Sequence, residues 1–137
     1  YIPWIVETSG GVDRTLFFIL LDAYEEEDLG NGNIRIVLKV NKDIAAYKVA
    51  IFPLVNNKEE IVKKARDIFT MLSPNNKVVW DDRGNIGKRY RYQDEIGTPL
   101  CITVDYESLE NDTVTVRDRD TMEQKRVKIE DLNSVIN

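Results

Sequence analysis

The hydrophobic pattern changes its period several times along the chain, and each change predicts an element. Tyr1 to Val6 is dense in aromatic and β-branched residues and reads as a buried strand. Ser9 to Val12 reads as a glycine turn, and Asp13 as the N-cap of a helix running to about Glu26. Leu16, Phe17, Phe18, Ile19, Leu20 and Leu21 are apolar all round that helix, a pattern that demands burial on every side. The rest of the chain is too small to bury this helix and also clothe its own sheet, so the expectation is that further burying surface lies upstream of Tyr1.

Gly30 to Asn33 marks a turn, Ile34 to Val40 an extended connector, and a boundary is expected within Asn41 to Tyr47. Lys48 to Leu54 is a nearly continuous apolar strand, the signature of a parallel strand covered on both faces. Asn57 with Glu60 gives a capping signal, and Ile61, Ala65, Ile68, Phe69 and Leu72 share one helical face until Ser73 and Pro74 end it. Lys77 to Trp80 completes a βαβ unit, whose crossover should be right-handed. A shorter, more polar helix is predicted over Gly84 to Glu95 and a third strand over Leu100 to Asp105. Asp112 to Asp118 alternates Thr and Val, the period of a strand with one wet face, and a turn near Asp120 leads to a last strand, Gln124 to Ile129. Asp131 then opens a helix through Leu132, Val135 and Ile136. The order is β-α-β-α-β-β-β-α, an α/β domain closing on a hairpin. Ligands in such sheets gather beyond the C-terminal ends of the parallel strands, here Leu54 and Val55, Asp81 to Gly84, and Asp105 to Glu107.

Composition narrows the chemistry. With 137 residues, 42% hydrophobic and 31% charged, the chain suits one folded domain plus a segment its core need not include. It contains no histidine, which removes the commonest general base and speaks against zinc. Cys101 is the single cysteine, in an apolar run, and fits a reducing compartment. The longest apolar stretch, Leu16 to Leu21, is far below the roughly 20 residues of a membrane span, so a cytoplasmic protein is expected. A net charge of -5 counts against indiscriminate coating of nucleic acid, although Glu25 to Asp28 concentrates four carboxylates in one block and leaves room for a basic patch elsewhere.

Three constellations carry candidate chemistry. Asp81, Asp82 and Arg83 at a strand end could hold magnesium or accept a phosphoryl group, or could simply cap a loop. Lys88, Arg89, Tyr90, Arg91 and Tyr92 interleave cations with aromatic planes, as a single-stranded RNA surface requires, and a solvated helix face would look similar. Arg117, Arg119, Lys125, Arg126 and Lys128 form a second basic cluster on the terminal hairpin, which could approach the same end of the sheet. At the front, Glu7 to Arg14 sets a glycine turn before an arginine at a helix start, where a backbone can approach a planar ring and a guanidinium can meet phosphates.

Taken together, "IPWIVETSGGVDRTLFFILLDAYEEE", "KVAIFPLV", "GNIGKRYRYQDEIGTPLCITVDYESL" and "VTVRDRDTMEQKRV" resemble the C-terminal part of the glycyl-tRNA synthetases, a class II aminoacyl-tRNA synthetase family. The resemblance divides the chain into residues 1–40, a strand-helix remnant of a catalytic domain with a connector, and residues 41–137, a three-layer α/β/α anticodon-binding domain with a five-stranded mixed sheet. It implies that Arg14, Gly10 and Gly11 contact ATP and that Glu7 and Ser9 line the glycine pocket. Thr8 stands where many members have proline. The resemblance further implies that Arg91, Arg117 and Glu107 meet the tRNA anticodon, and that the full enzyme uses ATP with magnesium, binds glycine and forms a homodimer. Neither DNA nor a membrane is an expected partner. Motifs 1 and 2 of the family have no counterpart in these residues, so the 137 residues alone are expected to be inactive and to need no cofactor. Two alternatives remain open: a non-catalytic, synthetase-like accessory subunit that binds protein or nucleic acid, and a phosphoacceptor switch using Asp81 or Asp82.

Overall fold

A computed structural model describes residues 1–136. The first helix, α1 (Val12–Ala23), starts two residues earlier than predicted, capped by Gly11 instead of Asp13, and stops short of Glu26. The chain turns there into a strand, β1 (Tyr24–Asp28), which pairs antiparallel with β2 (Ile34–Leu38), the stretch expected to be a connector. Charge explains the correction. In a strand, alternate residues share a side, so Glu25 and Glu27 both meet Lys39, at 2.6 and 2.8 Å, and Glu27 also meets Arg35. A helix would have crowded the four carboxylates of Glu25 to Asp28 onto about one turn.

Tyr1 to Val6 forms no strand. The segment is irregular and exposed, with Trp4 fully open to solvent. A strand requires a paired neighbour, and no described strand pairs with it. The apolar girdle of α1 is likewise exposed from Leu16 to Leu21, and only Ala23 of this helix is buried.

The remainder follows the predicted plan closely. Strands β3 (Val49–Pro53), β4 (Val78–Trp80), β5 (Leu100–Val104), β6 (Thr113–Asp118) and β7 (Gln124–Lys128) form one sheet in the order β4-β3-β5-β6-β7. The first three are parallel and the last two antiparallel, giving the five-stranded mixed sheet expected from the resemblance. Helix α2 (Glu59–Leu72) starts on Lys58, without a side-chain cap, so the signal at Asn57 is not used. Its Ile61, Ala65, Ile68 and Leu72 join Val49, Ile51, Ile102, Val104, Val114 and Leu132 in the main core. Full burial of each such side chain contributes about 1.5–3 kcal/mol. Helix α3 (Ile86–Ile96) covers the opposite face, where Ala50, Phe52 and Cys101 form a second cluster with Ile86 and Tyr90.

A short helix escaped the sequence pattern. Residues Tyr106–Asn111 form α4 directly after β5, started by a reciprocal capping box between Asp105 and Ser108. One turn and a half is too short to show a hydrophobic period. The chain closes with a 3-10 turn (Ile129–Asp131) and α5 (Leu132–Ile136).

Candidate nucleic-acid interface

Helix α3 carries the interleaved cations and aromatics, and its helical period sorts them into two roles. Asn85 accepts a hydrogen bond from the Lys88 amide at 2.9 Å and starts the helix, while Gly97 ends it in the left-handed region at φ 84°. Arg89, Gln93 and Asp94 point inward and are buried, whereas Lys88, Arg91 and Tyr92 remain exposed. Arg89 is a fastener. Its guanidinium donates to the carbonyls of Pro53 at 2.6 Å, Gly84 at 2.8 Å, Arg83 at 3.1 Å and Asp82 at 3.2 Å, tying the end of β3 to the loop after β4.

Arg117 of the hairpin cluster meets the α3 cluster at Tyr90, and it does so inside the protein. Arg117 grips Asp94 with both terminal nitrogens, at 2.8 and 3.0 Å, and Arg35 reaches the same carboxylate through Nε at 2.9 Å. Arg35, Asp94 and Arg117 are 3%, 1% and 6% exposed. The Arg117 guanidinium also lies 4.9 Å from the ring centre of Tyr90, whose hydroxyl shares a 2.6 Å hydrogen bond with Thr103. Burial pushes the Tyr90 phenol up, against the pull of Thr103. Arg119 is equally engaged, donating through one nitrogen to the carbonyls of Leu38, Val40 and Gly97 at 2.9 to 3.1 Å. Arg35 donates to the Arg119 carbonyl and pairs with Glu27. Burial works against the Arg35 charge, but bonds to Asp94 and Glu27 hold its pKa above the usual arginine value. Buried charges persist only when paired and hydrogen-bonded in this way. Arg117, expected as an anticodon contact, is thus placed beneath α3 with both ends of its fork on Asp94.

The exposed chemistry lies at the C-terminal rim of the parallel strands. Glu107 falls in the first turn of α4, 58% exposed, and its Oε2 lies 3.4 Å from the Arg126 guanidinium. Arg126 comes from β7 and forms a bidentate pair with Asp105, at 2.5 and 2.8 Å. Arg126 lowers the Asp105 carboxyl below its ordinary value, with burial opposing and Ser108 assisting. A depressed carboxylate contributes stability that is complete above the unfolded value, here 3.8, and is lost as pH falls through the lower folded value. The stability gap between the protein and its Asp105→Asn variant should therefore close in that acid window. Urea unfolding at steps between about pH 5 and about pH 2 checks this, and a gap independent of pH would contradict it.

Tyr106, Arg83, Lys88, Arg91 and Tyr92 complete the exposed set. Asp81 behaves as a loop cap, accepting from the Arg83 amide at 3.0 Å, and the Asp82 carbonyl is taken by Arg89. Among the described residues no three carboxylates or cysteines assemble into a metal site. The antiparallel β6 and β7 also depart from the doubly wound sheet that a phosphoacceptor switch would use.

The front residues are placed differently. Glu7, Ser9, Gly10, Gly11 and Arg14 are all exposed, and a β-carbon on Gly10 would meet nothing within 4 Å. Gly10 and Gly11 line a shallow depression of about 430 Å³ with Val12, Thr15, Leu16 and Ile19. Its walls are mostly apolar, and Arg14 is not among them. No helix among the described residues is long and apolar enough to cross a membrane.

A family model described as an anticodon binding domain matches residues 48–137. The chain belongs to the anticodon-binding domain family. Within the matched residues, Arg89, Tyr90 and Asp94 on α3 and its C-cap Gly97, together with Arg117 and Arg119, build a polar framework that is largely buried. Arg35 went unnoticed in the sequence; the only trace was a lone cation inside the apolar run from Ile34 to Leu38.

The chain is also similar to curated glycine-tRNA ligases. It is 53% identical over 136 residues to that of Borreliella afzelii, covering 99% of this chain and 30% of the relative. The ligase of Borrelia hermsii is 53% identical with the same coverage, and that of Clostridium kluyveri is 51% identical, with 29% of the relative covered. The chain thus spans about 30% of the length of these relatives.

Proposed function

We propose that this chain is the C-terminal part of a glycine-tRNA ligase and that its residues 41–137 bind the anticodon region of glycine tRNA. The observation that carries the reading is the match to glycine-tRNA ligases along 99% of the chain. The open rim around Glu107 supports it, because unpaired bases need an accessible edge reader and charged neighbours. Glycine anticodons carry two cytosines, and a carboxylate accepts from the cytosine amino group. In this reading Glu107 and Arg91 contact the anticodon loop, while Arg117 supports the surface from beneath.

Residues 1–40 then end a class II catalytic domain, and the apolar girdle of α1 packs on the remainder of that domain. Glu7 and Ser9 would line the glycine pocket and Gly10, Gly11 and Arg14 would approach ATP only once that packing forms. Magnesium, glycine, a homodimeric full enzyme and a cytoplasmic setting belong to the same proposal, as does the inactivity of these 137 residues alone.

Titration with an RNA stem-loop carrying a glycine anticodon tests the reading. Arg91→Ala and Glu107→Gln should each weaken binding by about 1–3 kcal/mol, with thermal stability close to that of the parent because both side chains are exposed. Equal affinity for the parent and both variants would remove these two assignments.

A further inference from the structure

On the α3 side of the sheet one row of residues runs from the buried Phe52 to the partly exposed Arg126. The strand registers place Phe52, Thr103, Thr115 and Arg126 in line across β3, β5, β6 and β7. Tyr90 closes one end of the row, its ring 5.6 Å from Phe52 and its hydroxyl on Thr103. At the other end Arg126 reaches from β7 across β6 to Asp105, at the end of β5.

The hydrogen bonding of this guanidinium is nearly saturated within its own plane. Nε donates to the Thr113 hydroxyl at 2.9 Å, one terminal nitrogen to Asp105 and to the Thr115 hydroxyl at 3.0 Å, and the other to Asp105 at 2.8 Å, beside Glu107. A guanidinium has five N–H donors. Four are used, and the fifth belongs to the nitrogen 3.4 Å from Glu107. Yet the Arg126 side chain is still 26% exposed. With its in-plane donors so engaged, the cation can take a further partner only over its flat face, the kind of surface on which unstacked bases settle.

We infer that Arg126 is a stacking platform for one unpaired base of the anticodon loop, holding that base where Glu107 meets its edge. This inference rests on the anticodon-binding reading and adds to it a base position and the residue that sets it. Asp105, Thr113 and Thr115 are positioning residues, keeping the plane of the guanidinium parallel to the base. The arrangement separates two tasks: Arg126 supplies a plane and charge without reading sequence, and Glu107 supplies the hydrogen-bonding discrimination.

The test is a cycle between Arg126→Lys and abasic substitution at each loop position of a glycine anticodon stem-loop, read by fluorescence anisotropy. Lysine keeps the charge and loses the plane. One abasic position should cost the parent protein roughly tenfold in affinity and cost R126K almost nothing further. Equal abasic penalties in both proteins, with the parent binding normally, overturn the platform alone. No binding of the stem-loop by the parent removes the anticodon-binding reading and the platform with it. A second measurement needs no variant: stacking should move the Arg126 δ and ε proton signals upfield when the stem-loop is added to the parent protein. Signals that stay in place while binding saturates overturn the inference, whatever the folding of R126K.

Discussion

Replacing Asp94 by asparagine should destabilise the protein by about 3–5 kcal/mol, the cost of breaking a buried ion pair by removing one partner. Asp94 is 1% exposed and is the carboxylate gripped by both Arg35 and Arg117. Neither arginine has water to fall back on, and an amide can neither neutralise two guanidiniums nor accept three N–H bonds as well as a carboxylate does. Urea unfolding of the parent and D94N at neutral pH measures the difference. A midpoint shift corresponding to less than about 1 kcal/mol would show that the pair is weakly coupled, as surface ion pairs are. The same reasoning predicts that part of any RNA-binding loss in an Arg117 variant comes through stability, because Arg117 supports Tyr90 and the α3 end of the row running to Arg126.

Gly97→Ala is expected to be the second damaging change, and its effect should appear at a distance. The glycine has φ 84°, where a β-carbon is strained, and that carbon would lie 2.9 Å from both the Leu38 carbonyl oxygen and a Val40 methyl. The backbone conformation alone costs about 1–3 kcal/mol, and the contact pushes β2 away from α3. Because Arg119 bridges the carbonyls of Gly97, Leu38 and Val40, displacement there loosens the attachment of the small β1-β2 sheet. Hydrogen exchange should speed up in β2 more than in β3 or β5, which pair in the main sheet. Uniform exchange across both sheets would place the effect elsewhere.

Both changes act on residues whose types were legible in the sequence and whose partners were not. Asp94 and Gly97 fall within a stretch quoted for the family resemblance, and Arg117 within the hairpin cluster, yet Asp94 lies 23 residues from Arg117 and 59 from Arg35. No local period encodes such a contact. The strands were legible for the opposite reason: Val49 to Pro53 and Leu100 to Val104 are wholly buried, and continuous apolarity reports that directly. The acidic block from Glu25 to Asp28 misled because helix propensity is a weak prior, overridden here by Lys39 and Arg35 on the partner strand. The segment from Tyr1 to Val6 misled because apolarity calls for a partner, and no described strand pairs with it.

The sequence by itself determined the α/β class, the order of the main elements, the helical and strand faces of the core, and the family kinship, because each is written in local periodicity or in runs of contiguous residues. The tertiary structure alone decided which cations face inward. Arg89, Arg117 and Arg119 look no different in the chain from Arg91, and only folding brings carbonyls or a carboxylate against the first three. The physical reason is that a buried guanidinium is stable only where acceptors from several separate segments converge on it, and that convergence is a property of three dimensions.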